Sequence, residues 1–193
     1  MFPNWGLGGF FLFYFEVNAQ RLPYIFEQIR VEGNTLDNLI FCMLKDSHGY
    51  LWLGTANGLK RYDPIFTISY NKEKNNKNSL VHNNIGILCE DKQGRIWAGT
   101  TEGVCYFDRK TNLFTRIEEV CKPDFACRNI ICDSRGDIWF TIRDGGLYEF
   151  DSKTNKLTNF RHENNNPQSI SYNRILVNGL KEDPSKKGLW IAC

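Results

Sequence analysis

The segment Asp91-Lys-Gln-Gly-Arg-Ile-Trp-Ala-Gly-Thr100 decides the fold, because its pattern occurs again elsewhere in the chain. Similar segments are Asp46-Ser-His-Gly-Tyr-Leu-Trp-Leu-Gly-Thr55 and Asp133-Ser-Arg-Gly-Asp-Ile-Trp-Phe-Thr141, and a fourth is Asp183-Pro-Ser-Lys-Lys-Gly-Leu-Trp-Ile191. The tryptophans of the four copies, at positions 52, 97, 139 and 190, recur every 42 to 51 residues. Spacing of this length indicates a repeat architecture.

Each repeat is predicted to form four short strands. In the second copy, residues 85–90 are an apolar run with partial alternation, and Asp91 and Gly94 then provide the chemistry of a tight hairpin. Three more strands follow at 95–100, 104–108 and 114–117. The first copy predicts strands at 40–45, 50–55, 59–63 and 66–70, and the third at 127–132, 137–142, 147–151 and 157–160.

Four-stranded units of this length in tandem, with no helical segment between them, are typical of β-propeller blades. The expected fold is therefore all-β, with four-stranded antiparallel meanders that make about three and a half blades of an incomplete propeller. The blades are expected at residues 36–70, 81–117, 123–160 and, incomplete, 170–193. The fourth copy stops inside a predicted strand, which indicates a fragment of a longer protein.

The recurring residues have structural roles in this interpretation. A blade cannot bury both of its faces alone, so the tryptophans are expected to pack between neighbouring blades. One hairpin per blade needs one capping carboxylate and one residue with positive φ, which assigns the recurring aspartates and glycines to the turns. The set comprises Trp52, Trp97, Trp139, Trp190, Asp46, Asp91, Asp133, Gly49, Gly94 and Gly136.

The first residues resemble an export signal. Residues 7–17 are mostly apolar, and Val17-Asn-Ala19 before Gln20 has the small-residue pattern of a cleavage site. Residues 1–19 are therefore predicted to be a signal peptide and residues 20–193 the partial propeller. The alternative is a damaged or misassigned start, because no Lys or Arg precedes the apolar stretch and Glu16 lies near its end. The stretch is shorter than the roughly 20 apolar residues of a membrane span.

Composition and motifs argue against several classes of function, namely nucleic-acid binding, catalysis and metal or cofactor binding. The 24 basic and 22 acidic residues give a net charge of +2, too close to balance for a nucleic-acid footprint. No catalytic constellation, phosphate-binding loop or metal-ligand spacing is present, so the chain is predicted to be no enzyme and to bind no metal or cofactor. Most of the seven cysteines are expected to be core residues; Cys121 and Cys127 could form a disulfide in an oxidising compartment, although the sequence leaves the pairing open.

Residues Asp46 to Asp63 and Asp91 to Asp108 share the pattern Asp-x-x-Gly-x-Ile/Leu-Trp-x-Gly-Thr-x-x-Gly-Leu/Val-x-x-Tyr/Phe-Asp, which resembles the two-component regulator propeller repeat. The Asn-rich segments 78–84 and 167–173 are similar to the link that precedes an inner strand in that family, and Phe26-Glu-Gln-Ile29 is also typical. The resemblance covers roughly residues 24–193.

This resemblance implies the periplasmic sensor region of a hybrid two-component histidine kinase. Such a region is expected to bind an oligosaccharide and to control carbohydrate-utilisation genes through a kinase that lies outside this chain. The expected partners are the oligosaccharide, the remaining blades and the membrane kinase of the full-length protein, and a second copy in a homodimer. Two alternatives stay open: a non-catalytic interaction scaffold and, with less support, a propeller lyase or hydrolase.

In propellers the connection entering each inner strand lies near the central channel, so polar residues of these connections are candidates for contact with the sugar. Amide, guanidinium and phenol groups suit hydroxyl ligands. The alternative is that the asparagines only serve the turns. The candidates are Asn38, His82, Asn83, Asn84, Arg128, Tyr172, Asn173 and Arg174.

Overall fold

The computed structural model describes residues 39–63, 66–185 and 187–193. The predicted signal peptide and Asn38 lie outside these residues. Within them the chain is almost entirely β-structure, in four separate antiparallel sheets and with one short 3₁₀ helix, Glu118–Val120. No helix of the described residues is long and apolar enough to cross a membrane. The predicted all-β propeller-blade class is confirmed.

Three sheets have four strands in simple meander order, and the fourth sheet has two described strands. Blade one contains β1 (Ile40–Lys45), β2 (Leu51–Thr55), β3 (Gly58–Tyr62) and β4 (Thr67–Tyr70). Blade two contains β5 (Ile85–Glu90), β6 (Ile96–Thr100), β7 (Gly103–Asp108) and β8 (Leu113–Arg116). Blade three contains β9 (Cys127–Cys132), β10 (Ile138–Ile142), β11 (Gly146–Phe150) and β12 (Leu157–Phe160), and blade four contains β13 (Leu180–Glu182) and β14 (Leu189–Ile191).

The tryptophan of each complete junction packs against the third strand of the following blade. Trp52 lies 5.4 Å from Phe107 between ring centroids, and Trp97 lies 5.1 Å from Phe150. Both tryptophans are fully buried. The core is therefore a series of aromatic layers between blades, as expected for elements that bury their faces only by stacking.

The glycine two residues after the tryptophan permits the close approach of adjacent blades. A Cβ atom on Gly99 would lie 2.6 Å from a methyl carbon of Ile87 and 2.7 Å from the Cys127 sulfur, which is too close for any real contact. Cys127 begins the inner strand of the next blade. A side chain at Gly99 would therefore push blade three away from blade two.

One residue near the start of each complete inner strand is left out of the ladder. In β1 the pairing moves from Ile40 to Cys42, and in β5 it moves from Ile85 to Ile87. In β9 the register shifts between Cys127 and Asn129. These are β-bulges, which detach one residue from the sheet and re-aim its side chain. The residues left out of the ladder are Phe41, Gly86 and Arg128.

Candidate functional site

The recurring aspartates hold the hairpins at one end of the blades. Asp91 Oδ1 accepts hydrogen bonds from the backbone N–H groups of Gln93 and Arg95, both at 2.9 Å, and its Oδ2 accepts one from Trp97 Nε1 at 2.7 Å. Asp46 and Asp133 make the same sets of bonds to their own turns and tryptophans. These buried carboxylates therefore have a structural role, since they hold the hairpin turns and orient the tryptophans.

The same end of the molecule carries bonds between blades. Arg109, from the turn after β7, contacts Asp46 Oδ2 at 2.8 Å and Glu90 Oε1 at 3.0 Å. Ser47 donates its backbone N–H and its hydroxyl to Glu90, both at 2.7 Å. These contacts join blades one and two, although Arg109 Nε is buried without a hydrogen-bond partner.

A cleft of about 270 Å³ lies at the opposite end, where the inner strands begin. All three bulge residues line it, although they come from three different blades. The turns after β6 and β10 complete the wall. The other described residues that line the cleft are Asn84, Thr100, Thr101, Ala126, Cys127 and Arg143.

The bulges explain why the cleft has this lining. A residue in the regular ladder would alternate between the two faces of its blade, whereas a bulged residue is turned out of that alternation. Phe41 is 52% exposed in this position, and an added Cβ on Gly86 would meet nothing within 4 Å. The wall therefore offers an aromatic face, a gap and a guanidinium group at equivalent positions of successive blades.

Some polar groups of the cleft are available for a ligand. Among the described residues, the side chains of Asn84, Arg128 and Arg143 are in no hydrogen bond or ion pair. Thr101 Oγ1 lies 2.8 Å from His82 Nδ1, and that nitrogen also accepts the Asn84 N–H at 3.1 Å. His82 therefore contacts two residues of the cleft wall, Asn84 and Thr101, and is not among the described residues that line the cleft.

Some of the predicted site residues line the cleft, and others form hydrogen bonds within the links between blades. Asn84 and Arg128 come together in the cleft. Asn83 and Asn173 stabilise the links that precede the inner strands. Asn83 Oδ1 accepts a hydrogen bond from the Lys72 N–H at 2.6 Å, and Asn173 Oδ1 accepts one from the His162 N–H at 2.8 Å.

The remaining candidates lie away from the cleft lining. Tyr172 stacks on His162, with ring centroids 6.0 Å apart, and both Tyr172 and Arg174 are exposed. Sequence reasoning missed Phe41, Gly86, Arg143 and the two threonines. A usable signal was present for the first two, since Phe41, Gly86 and Arg128 each lie five residues before the recurring aspartate.

The cysteines contribute packing. All seven are free thiols, so Cys121 and Cys127 form no disulfide in this structure. Burial raises the pKa of the Cys105 thiol to about 12 and that of Cys121 to about 11. Cys127 lines the cleft, but burial raises its pKa as well, which leaves an unreactive thiol there. Among the described residues no group of three or more His, Cys, Asp or Glu side chains could hold a metal ion.

Comparison with known proteins identifies the repeats. The family described as "Two component regulator propeller" matches residues 36–57 and 79–102. No curated protein matches the sequence.

Solved structures share the fold. The extracellular domain of the hybrid two-component system BT4673 from B. thetaiotaomicron aligns with a TM-score of 0.61 at 22% identity, over 79% of this chain and 21% of that chain. The corresponding domain of BT3049 from the same organism gives 0.62 at 20% identity, over 80% and 22%. Virginiamycin B lyase from Staphylococcus aureus gives 0.57 at 15% identity, over 79% and 48%.

The chain spans about a fifth of the length of the two extracellular domains. At these identities the likenesses show the fold alone, while the two segments that match the family contain the complete Asp-to-Thr motifs of blades one and two. Residues 36–57 and 79–102 of the chain therefore match the two-component regulator propeller repeat.

Proposed function

We propose that this chain is the ligand-sensing propeller region of an extracytoplasmic two-component sensor and that its ligand is an oligosaccharide. The observation that carries the proposal is the convergence of three bulge residues, from three blades, on one cleft with unpaired polar side chains. Structural bulges are common beside binding sites, where they re-aim side chains. The family match and the extracellular location of the structural relatives support the sensing role.

The chemistry of the cleft suits a sugar. Phe41 offers a flat apolar face, against which the C–H face of a pyranose ring can stack. Asn84 and Arg128 offer donors and an acceptor for hydroxyl groups. The volume, about 270 Å³, is slightly below the roughly 300–1,000 Å³ of pockets that hold drug-sized molecules, so we expect the cleft to take one end of a longer saccharide.

Signalling requires that the ligand favour one arrangement of the sensor over another. Because the cleft is built from the inner strands of successive blades, a ligand that contacts several of them is expected to bind best at one spacing of the blades. A difference in affinity between two arrangements shifts their populations. The output would pass through the remaining blades to a membrane histidine kinase, as a homodimer in the periplasm, and would control carbohydrate-utilisation genes.

An interaction scaffold is the second candidate. The observation that favours it is the exposed apolar surface of blade four, where Trp190 is 66% exposed and Leu176 and Val177 are more than half exposed. Surfaces of this kind often bind proteins. A scaffold would bind a protein there and would show no saturable binding of sugar in the cleft.

A lyase has less support. The described residues that line the cleft include neither a histidine nor a carboxylate. A lyase needs a group to remove or deliver a proton, and those are the usual side chains for that task. The likeness to virginiamycin B lyase extends to the fold alone.

The test is calorimetric titration of the 193-residue chain with a panel of neutral and acidic di- to tetrasaccharides, followed by two cleft variants. Gly86→Leu is expected to fill the cleft and abolish binding with little change in Tm, because nothing lies within 4 Å of an added Cβ. Phe41→Ala is expected to weaken binding by about tenfold, the equivalent of 1.4 kcal/mol.

The matched controls are Gly188→Leu, where an added Cβ also meets nothing within 4 Å, and Phe66→Ala, an exposed aromatic outside the cleft. Both controls should bind as the natural chain does. A panel without a single binder, or binding that Gly86→Leu leaves intact, would exclude the cleft as the sensing site.

A further inference from the structure

We infer that the cleft binds an acidic sugar unit, whose carboxylate or sulfate group is held by Arg128 and Arg143. This inference rests on the proposed oligosaccharide function and specifies the class of sugar. Two guanidinium groups lie at this cleft without hydrogen-bond or ion-pair partners, and the described wall of the cleft carries no negative charge.

The two arginines are positioned by the same blade. Arg128 is the bulge residue of β9, and Arg143 follows directly after β10, the strand that pairs with β9. The backbone N–H of Arg143 donates to the Ala126 carbonyl at 2.8 Å, which fixes the turn beside the entry to β9. Backbone hydrogen bonds and the bulge therefore hold both residues at the rim of one cleft.

Three arginines elsewhere in the described part of the chain are paired with carboxylates. Arg95 pairs with Asp91 at 2.5 Å, Arg109 pairs with two carboxylates, and Arg135 contacts Asp133 at 3.0 Å. By contrast, the side chains of Arg128 and Arg143 form no hydrogen bond or ion pair with any described residue. Arg174 is also without such a partner, but it is exposed and does not line the cleft, so among the described arginines Arg128 and Arg143 are the two unpaired cations that share one cleft.

The cleft wall does not compensate these charges. Its described lining residues contain no aspartate or glutamate. Two like charges facing one small space repel each other, and an anionic group between them removes that repulsion. A guanidinium binds a carboxylate or a sulfate through parallel charge-assisted hydrogen bonds, which are stronger than bonds between neutral partners.

The rest of the wall indicates that the anion is part of a sugar. An inorganic anion would use the arginines alone and would leave Phe41 and Asn84 without contacts. A uronic acid or a sulfated sugar presents an apolar ring face to the aromatic, hydroxyl groups to the amide and the negative charge to the arginines. The gap at Gly86 leaves space for the ring between them.

The experiment compares matched saccharides by titration calorimetry on the 193-residue chain. The probes are trigalacturonate and its carboxyl-reduced form, and a sulfated disaccharide and its desulfated form. At least one acidic probe is expected to bind 10- to 100-fold more tightly than its neutral counterpart, because hydrogen bonds to charged groups are roughly twice as strong. Binding of trigalacturonate would identify a carboxylate as the recognised group, and binding of the sulfated disaccharide would identify a sulfate.

Three variants complete the experiment. Arg128→Gln and Arg143→Gln should each remove most of the preference for the acidic probe, and added salt should weaken the acidic probe more than the neutral one. Lys110→Gln removes an exposed cation in the turn between β7 and β8, at the opposite end of the blade, and should change nothing. Circular dichroism melting confirms that each variant is folded.

The outcomes separate the two proposals. If the neutral probes bind as tightly as the acidic ones, and Gly86→Leu abolishes that binding, the acidic inference is wrong while the sugar-sensing proposal stands. If inorganic sulfate competes as well as the saccharide does, the arginines hold an anion alone and the inference is overturned. If no saccharide of either class binds, both proposals fail.

Discussion

The junction between blades two and three differs from the junction between blades three and four, although both begin with the same hairpin. At the first junction Trp97 is fully buried against Phe150, and the guanidinium of Arg95 lies over the Trp97, Tyr106 and Phe150 rings. At the second junction Trp139 is only partly buried and stacks on Phe160 of its own blade. A cleft of about 350 Å³ lies beside it.

This difference teaches where a blade obtains its stability. The aromatic residue that covers Trp52 or Trp97 belongs to the third strand of the next blade, and the described part of blade four has two strands. The hairpin alone therefore orients the tryptophan, while burial depends on the neighbour. Each of the following predictions tests this division between orientation and burial.

The largest effect is expected from truncating the two tryptophans. Trp97→Ala should lower the free energy of unfolding by about 3 to 5 kcal/mol, the usual cost of removing a large buried aromatic side chain. Trp139→Ala should cost about 1 to 2 kcal/mol, because less apolar surface is buried there. Urea denaturation followed by circular dichroism measures both.

If Trp97→Ala leaves no folded state to measure, the milder pair Trp97→Phe and Trp139→Phe gives the same ranking. Equal losses in the two variants would contradict the comparison, because they would show that the following blade contributes nothing to the burial of the tryptophan.

A smaller effect is expected at the capping aspartates. Asp91→Asn should cost about 1 to 3 kcal/mol, because the buried Trp97 indole and the turn N–H groups lose a charged acceptor. Asp133→Asn should cost less, since Trp139 is partly exposed and its N–H can bond to water instead. Chemical denaturation at neutral pH tests the ranking, and a larger loss for Asp133→Asn would reverse it.

Asp133 also predicts a dependence on pH. Burial opposes its ionisation, but hydrogen bonds from Trp139, Asp137 and Arg135 outweigh burial and hold the pKa of this carboxyl below its usual value. Its stabilisation is therefore complete above the unfolded pKa of about 3.9 and is lost as the pH falls through the lower folded pKa. The natural chain should be more stable than Asp133→Asn by a constant amount above about pH 4. This difference in the free energy of unfolding should shrink as the pH falls from the unfolded pKa through the folded pKa of Asp133.

The smallest effect is expected from the bonds between blades at the hairpin end. Arg109→Gln should cost about 1 kcal/mol, because Asp46 and Glu90 both lose their cation in a partly buried site. Lys92 donates a hydrogen bond to the Ser134 carbonyl from an exposed position. Lys92→Gln should therefore lower the free energy of unfolding by less than about 0.5 kcal/mol. Added salt should reduce the difference between the two variants, and an Arg109→Gln loss no larger than that of Lys92→Gln would show the cluster to be dispensable.

The sequence predicted the strands well because their signal is local. Hairpin aspartates, tryptophans and turn glycines recur in order, and no strand end of the three complete blades differs by more than one residue from its predicted position. The cleft was harder to predict, because a bulge changes the register without changing the hydrophobic pattern. Phe41, Gly86 and Arg128 share a position and no chemical property, so composition could not group them.

The rest of the site depends on how blades meet. Arg143 follows a strand of blade three and lies near Phe41 only because three inner strands converge. Asn83 and Asn173 look like ligands in the sequence, yet their amide oxygens hold the links. Only the folded chain distinguishes an asparagine that serves a turn from one, such as Asn84, that faces open space.

The bulge has an evolutionary consequence. Since its residue pairs with no neighbouring strand, its side chain can change from phenylalanine to glycine to arginine while the ladder on either side stays intact. Selection for a new ligand can therefore act on one codon per blade with little loss of stability. A family built on this unit can diversify what it recognises and keep the same scaffold.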